Sequence, residues 1–221
     1  MKIIITFFSI LLIVGFTFIF LRKTKKKTSG IVIVLNGPSG SGKSSIQKEF
    51  QKLHMPNLWI KVGIDNLFDN VMPEITPKNM NFWQSKNPIR WVEKTKDNEG
   101  NDIVPLFVGK QGEKVFYAMN SCIAEYAKNG CNVIVDYIAY KKEMLSDLKR
   151  KLKDVKAYFV KVQIPLDILE QREANRGTSP KGHARSHYFT VYGDKKYDLT
   201  VNSEKNSAKE IAVQIKYFIE K

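Results

Sequence analysis

Residues 31–44 read "IVIVLNGPSGSGKS", and this stretch decides the fold. It opens with five apolar residues, mostly β-branched, a pattern that predicts a strand buried on both faces of a parallel sheet. Residues 37–44 then match the pattern G-x-x-x-x-G-K-[ST], whose glycines let backbone N–H groups wrap a phosphate. An amphipathic helix follows, with Ile46, Phe50 and Leu53 on one face, and its N-terminus points at the same phosphate. The stretch therefore predicts a strand, a phosphate loop and a helix that together bind a nucleotide.

The loop pattern also predicts a role for each residue type. Lys43 is expected to reach the β- and γ-phosphates of ATP as a catalytic cation, and Ser44 to bind Mg²⁺. The predicted nucleotide-binding residues are Gly37, Pro38, Ser39, Gly40, Ser41, Gly42, Lys43, Ser44 and Ser45. The same loop occurs in GTPases, motors and transporters, so the other strand ends must indicate the activity.

Strands alternate with helices along the rest of the chain. This order predicts an α/β domain of the P-loop nucleoside triphosphate hydrolase fold, with a mostly parallel sheet flanked by helices. Further strands are expected at 58–64, 131–136, 156–164 and 197–203, and helices at 65–72, 113–129, 141–153, 166–176 and 207–220. Residues 73–112 are predicted to be irregular, and 176–187 to form a loop rich in Gly, Pro and basic residues. Ligands of such sheets bind at the carboxyl ends of the strands.

Two acidic residues end predicted strands. Asp136 closes "VIVD" and is expected to bind Mg²⁺ through water, although an Asp at a strand end also forms turns. Asp65 closes "KVGID" and could accept the proton of an attacking hydroxyl or orient that hydroxyl. Asp is equally a favoured N-cap for the helix predicted at 65–72, and the residues alone leave both readings open.

Three arginines surround the predicted loop at 176–187. Arg172 and Arg176 lie four residues apart on one helix face, and Arg185 lies further along. Arginines on a mobile loop can close over a triphosphate as a lid and stabilise charge in the transition state, so all three are predicted catalytic residues. The alternative for Arg172 is a pair with a Glu on its own helix.

The net charge is +14, and the first 30 residues supply six of these charges, which leaves +8 on the body. A basic body suits anionic ligands, although scattered lysines are also ordinary surface residues. Two cysteines without a further Cys or His pair do not complete a zinc pattern.

Residues 3–21 contain no charge and, as a helix, would span roughly 28 Å, the thickness of a bilayer's hydrocarbon core. Five basic residues follow, and no small-residue cleavage site closes the run. The sequence therefore predicts an uncleaved transmembrane helix in residues 1–22 and a basic linker in 23–30. The predicted location is the membrane, single-pass, with the C-terminal domain of residues 31–221 in the cytoplasm.

Several segments taken together resemble the chloramphenicol phosphotransferase-like family of P-loop kinases. They are "IVLNGPSGSGKSS", "VGIDNLFDNVMP", "NVIVD", "PLDILEQREANRG" and "YDLTVNS", and their order holds from about residue 31 to 215. Guanylate kinases share the "GPSGSGKS" loop, but the Arg-rich run expected soon after it is missing here.

The resemblance implies a sheet with strand order 2-3-1-4-5, the use of ATP and Mg²⁺, and phosphoryl transfer to a hydroxyl of a small molecule, as in chloramphenicol 3-O-phosphotransferase. It places Asp65 at the catalytic-base position. It also places the acceptor pocket in residues 73–112, where Trp83 and Trp91 could pack against an aromatic ring of the substrate.

Three positions depart from the family pattern. Tyr137 follows Asp136 where the family tends to have a second acid, Ser179 stands where it tends to have a lid arginine, and Tyr192 stands where it tends to have a histidine. The lost arginine motivates a second hypothesis, a membrane-anchored nucleotide-binding module with weak or no transfer. The basic body motivates a third, a nucleic-acid-end kinase, although no cluster of basic and aromatic residues indicates a nucleic-acid groove.

Overall fold

A computed structural model describes residues 28–64, 72–193 and 196–221. The strands in chain order are β1 (Ile31–Asn36), β2 (Trp59–Gly63), β3 (Ile89–Trp91), β4 (Thr95–Lys96), β5 (Asp102–Ile103), β6 (Leu106–Val108), β7 (Asn132–Tyr137), β8 (Lys156–Gln163) and β9 (Leu199–Asn202). The helices are α1 (Lys43–His54), α2 (Met80–Gln84), α3 (Lys110–Lys128), α4 (Lys142–Lys151), α5 (Leu166–Arg176), α6 (His183–Tyr188) and α7 (Ala208–Ile219), with a short 3₁₀ turn at Pro77–Asn79.

The main sheet has five strands in the order β2-β7-β1-β8-β9, and every neighbouring pair is parallel. Numbered along the chain, these strands run 2-3-1-4-5, the order that the family resemblance implies. The apolar runs of β1 and β7 fit this place because helices cover both of their faces. α1 and α7 cover one face with residues such as Phe50 and Ile215, and α3 and α4 cover the other with residues such as Phe116 and Leu145.

Strand register brings the predicted site residues to one edge of the sheet. Asp136 of β7 pairs with Leu35 of β1 on one side and with Gly63 of β2 on the other. The carboxyl end of β1 continues directly into the phosphate loop. Asp136 therefore lies beside that loop, at the end of the sheet where ligands of this fold bind.

Residues 73–112 are more regular than the sequence predicted. They contain two antiparallel two-stranded sheets, β3 with β6 and β4 with β5, as well as the 3₁₀ turn and α2. Strands of only two or three residues, interrupted by prolines, leave too short a pattern to distinguish from a loop. We call the β4–β5 pair, with its turn at 97–101, the hairpin.

The predicted loop at 176–187 is also partly helical. Gly177 ends α5 in a left-handed conformation with φ of 64°, and Gly182 begins α6 with φ of 90°. A Cβ at Gly182 would lie 2.5 Å from the carbonyl oxygen of Asp102, so only glycine allows this close approach to the hairpin. The segment at 176–187 thus packs against the hairpin.

The transmembrane helix in the predicted fold class, and the single-pass membrane location derived from it, require correction. Within residues 28–64, 72–193 and 196–221, no helix is long and apolar enough to cross a membrane. The run at 3–21 that suggested the span lies outside the described residues.

Candidate functional site

The phosphate loop has the backbone that its glycines predict. Gly40 and Gly42 adopt φ of 82° and 89°, which favours glycine because a Cβ strains this conformation. Gly37 is constrained by space instead, since a Cβ there would lie 2.7 Å from the carbonyl oxygen of Val162. The loop leads into α1 at Gly42, so the N-terminus of α1 faces the cavity beside the loop.

Lys43 lies beneath the loop and is only 3 % exposed. Its Nζ donates a hydrogen bond of 2.8 Å to the carbonyl oxygen of Pro38 and lies 3.3 Å from Oδ1 of Asp136. This ion pair joins the residue predicted to bind the phosphates to the acid predicted to bind Mg²⁺. Lys43, Ser44, Asp136 and Ile64 line one small cavity of about 20 Å³.

The donors for a metal at this cavity are oxygen atoms. Ser44 supplies a hydroxyl and Asp136 a carboxylate, which suit Mg²⁺ because it prefers oxygen ligands and keeps several waters. Across the described ranges, no group of three or more His, Cys, Asp or Glu side chains is placed to hold a metal. The residues present therefore fit an ion held mainly by water and phosphate oxygens.

A larger cavity of about 440 Å³ adjoins the same loop. It extends from Gly42 and Ser45, past α5, to the start of α7 at Ala208. Ser203 and Asn206 form its far wall. The sequence prediction missed this wall, although the motif "YDLTVNS" ends on Ser203, at the carboxyl end of β9. The size and position fit the base and sugar of a nucleotide whose phosphates lie in the loop.

The three predicted lid arginines have different surroundings. Arg176 is exposed, lines both cavities and forms no ion pair within the described part of the chain. Arg172 lines the larger cavity, and its Nη2 donates a hydrogen bond of 2.7 Å to the carbonyl oxygen of Ser203. Arg172 therefore does not pair with a Glu on its own helix. In this conformation, only Arg176 is free to reach a phosphate.

Arg185 instead bridges three carboxylates. Nε lies 2.7 Å from Asp97, Nη2 2.7 Å from Glu99, and Nη1 3.2 Å from Glu170. This arrangement lowers the pKa of Asp97 to about 2, chiefly through the hydrogen bond from Arg185. Arg185 therefore joins α6 to the hairpin and to α5, and it lines neither cavity.

The predicted catalytic base, Asp65, lies outside the described residues. Its neighbour Ile64 lines the small cavity with Lys43 and Asp136. The role of Asp65 as base stays a prediction.

The two tryptophans predicted to line the acceptor pocket lie in different elements. Trp91 on β3 is 48 % exposed and packs edge-on against His183, with ring centroids 5.9 Å apart. Trp83 on α2 is buried and packs against Phe82. Trp91 is thus the one that presents a ring to solvent near α6.

Two histidines of α6, which the sequence did not single out, connect this helix to the phosphate loop and to neighbouring elements. His187 accepts a hydrogen bond of 3.1 Å at Nε2 from the backbone N–H of Ser39 in the phosphate loop. His183 lies 3.1 Å from the carbonyl oxygen of Val104 through Nδ1, and 3.1 Å from the hydroxyl of Tyr140 through Nε2. A carbonyl oxygen only accepts, so Nδ1 of His183 carries the proton and Tyr140 donates to Nε2.

The three departures from the family pattern occupy structural positions. The buried hydroxyl of Tyr137 donates a hydrogen bond of 3.2 Å to Oδ1 of Asn120, and burial raises the pKa of this hydroxyl. The hydroxyl of Tyr192 donates a hydrogen bond of 2.6 Å to the carbonyl oxygen of Val162, the same oxygen that approaches Gly37. Ser179 lies 3.5 Å from Glu173. None of the three side chains lines either cavity.

A comparison with protein families identifies one that matches the chain. The family model described as "Chloramphenicol phosphotransferase-like protein" matches residues 30–220, nearly the whole chain. The chain belongs to this family. The chloramphenicol phosphotransferase-like chain is thus a P-loop phosphotransferase of the kinase type.

Relatives among curated proteins agree with this family. A protein of Mycobacterium tuberculosis (strain H37Rv) named "Putative O-phosphotransferase" is 25% identical over 186 residues, which cover 84% of this chain and 80% of the relative. A 2-phosphoglycerate kinase of Pyrococcus furiosus is 27% identical over 122 residues, covering 55% of this chain and 39% of the relative.

Solved structures share the fold. The APS kinase CysC of Mycobacterium tuberculosis superposes with a TM-score of 0.60 at 17% identity, covering 87% of this chain and 99% of that one. The tunicamycin resistance protein of Deinococcus radiodurans superposes with a TM-score of 0.52 at 13% identity, covering 86% and 95%. At these identities the likeness shows the fold alone.

Proposed function

We propose that this chloramphenicol phosphotransferase-like chain transfers the γ-phosphoryl group of ATP to a hydroxyl of a small molecule. The observation that carries the proposal is the pairing of Lys43 with Asp136 at 3.3 Å inside a glycine loop. Lys43 and Asp136 line one cavity, beside a second cavity of a size suited to a nucleoside, which supports phosphate binding by the cation and Mg²⁺ binding by the acid.

Nucleotide binding follows from these contacts. Backbone N–H groups of the loop and the N-terminus of α1 would hold the phosphates, and Lys43 would turn from Asp136 toward them. Ser44 and Asp136 would bind Mg²⁺, which supplies positive charge to the phosphate oxygens when present. The M. tuberculosis APS kinase of the same fold was solved in complex with AMPPNP and APS, which is consistent with nucleotide use here.

The transfer step needs a group that accepts a proton. Asp65 would take the proton from the acceptor hydroxyl, whose oxygen then forms a bond to the γ-phosphorus. The bond from that phosphorus to the bridging oxygen breaks, and ADP leaves. Arg176 would stabilise the charge that develops on the transferred group.

The acceptor would bind on the side of residues 73–112, where Trp91 is half exposed beside α6. An aromatic ring favours a substrate with a planar or apolar part. The family name points to chloramphenicol as one candidate acceptor, and the relative's name to an O-linked product.

The experiment is a transfer assay with the full chain, MgATP and a panel of hydroxyl compounds that includes chloramphenicol and a 5′-hydroxyl oligonucleotide. Asp65→Asn is expected to lower transfer by about 10²- to 10⁴-fold and to leave the Kd for MgATP unchanged. Asp154→Asn, an exposed acid on the loop before β8, is the matched control and should behave as wild type.

Three outcomes contradict parts of the proposal. Near-normal transfer by Asp65→Asn would show that Asp65 is not the base. Tight MgATP binding without transfer to any compound would favour a nucleotide-binding module. Transfer to the oligonucleotide alone, with binding weakened by salt, would favour a nucleic-acid-end kinase.

A further inference from the structure

The peptide between Pro38 and Ser39 is held from both of its sides. Its carbonyl oxygen accepts from Nζ of Lys43 at 2.8 Å and from the backbone N–H of Ser41 at 3.2 Å. Its N–H donates to Nε2 of His187 at 3.1 Å. Because a peptide unit is planar, fixing the direction of the N–H also fixes the direction of the carbonyl. His187 thus determines where the acceptor for Lys43 lies.

This contact requires a neutral His187. The N–H of Ser39 only donates, so Nε2 must be unprotonated and the proton must be on Nδ1. Nδ1 lies 3.4 Å from Oγ of Ser186, which itself donates to the carbonyl oxygen of His183 and so keeps a lone pair free for Nδ1–H.

The surroundings of His187 favour the same state. The side chain is 4 % exposed, and burial, assisted by the neighbouring His183 and Lys43, holds its pKa well below the usual 6.5. The ring of Tyr140 packs against it with centroids 5.0 Å apart. Burial and the charge of Lys43 disfavour an imidazolium, so the Nε2 lone pair remains available to Ser39.

The position of His187 is fixed by the rest of α6. Glu173 accepts from the backbone N–H groups of Gly182 and Ala184 at 2.7 and 2.6 Å, and Arg185 joins the helix to the hairpin. His187 is therefore a rigidly placed acceptor.

We propose that His187 is a positioning residue of the phosphate loop, which orients the Pro38–Ser39 peptide and through it the ammonium group of Lys43. The proposal rests on the proposed nucleotide-dependent function. In this proposal α6 supports the phosphate loop through His187, a role different from the lid predicted for the arginines. Lys43 contacts the phosphates, whereas His187 acts one hydrogen bond further away.

The test compares three variants of the full chain by isothermal titration with MgATP. His187→Leu removes the acceptor while keeping an apolar side chain of similar width, and its Kd should rise about fivefold. His187→Gln offers an amide oxygen at similar reach and should restore most of the affinity. His54→Gln, on the far end of α1, is the control and should bind as wild type.

A second measurement uses the wild-type protein, so that it remains informative if His187→Leu does not fold. The chain has three histidines, and a long-range ¹H–¹⁵N spectrum separates their imidazole nitrogens. At pH 6, His187 should be neutral with its proton on Nδ1. A proton on Nε2, equal weakening by Leu and Gln, or unchanged binding by Leu would each overturn the proposal.

Neither measurement needs an acceptor. A chain that transfers to no compound but shows the predicted His187 effects would refute only the transfer activity. A chain that transfers normally and shows no His187 effect would refute only this inference.

Discussion

Replacing Glu173 with Gln tests how firmly α6 is held against α5. Glu173 is 5 % exposed, and its two oxygens accept from the N–H groups of Gly182 and Ala184. Hydrogen bonds to a charged group contribute roughly 1.5–3 kcal/mol each. A Gln keeps one neutral acceptor, but its NH₂ group faces the other N–H, which is then buried without a partner.

The expected loss of stability is about 3 kcal/mol, the sum of one weakened bond and one lost bond. For a chain of this size, each kcal/mol lowers Tm by about 2–4 °C, so Tm should fall by roughly 6–12 °C. The assay is thermal unfolding of the full chain by circular dichroism, with urea unfolding as a second measure.

Glu204→Gln is the matched control, since Glu204 is exposed at the turn before α7 and should change Tm little. A Glu173→Gln variant that unfolds within about 2 °C of wild type would refute the reasoning, because the N–H groups would then have other partners.

Two further predictions concern arginines. Arg176→Ala should lower the rate of transfer by about 10²- to 10³-fold with an unchanged Tm. Arg150 is an exposed arginine on α4, and the control variant Arg150→Ala should transfer at the wild-type rate. Equal transfer rates for the two variants would show that Arg176 is not part of the site. Asp97→Asn should lower stability at neutral pH, because Arg185 holds the pKa of Asp97 near 2, below its usual 3.8. That contribution is present above pH 3.8 and is lost as the pH falls toward 2, so urea midpoints of variant and wild type should converge below pH 4.

The sequence predicted the strand, loop and helix of residues 31–54 well because their signals are local. The strand, loop and helix of residues 31–54 follow one another directly, and each pattern specifies its own conformation. The end of β7 was identified in the same way, from an acid that follows an apolar run, and strand order then placed Asp136 beside Lys43. The family resemblance supplied the strand order, which periodicity alone does not.

The segments at 73–112 and 176–187 were predicted less well. In residues 73–112 the strands have two or three residues, and such short patterns resemble loops. The basic segment at 176–187 gave no sign that Arg185 would pair with carboxylates of the hairpin rather than with a phosphate. The side chain of Arg185 is oriented by Asp97 and Glu99 in the turn at 97–101. Both acids lie far from Arg185 in the sequence.

The sequence by itself determined that this chain forms a parallel sheet with a phosphate loop at the end of its first strand. Apolar runs, glycine spacing and the acid near the end of β7 are local features, and local chemistry is enough to place them. The tertiary structure decided which side chains support the loop. His187 reaches Ser39 across 148 positions of the chain, and Arg185 reaches Asp97 across 88. Such contacts depend on how the elements pack against one another, because no local pattern encodes the direction in which a distant side chain points.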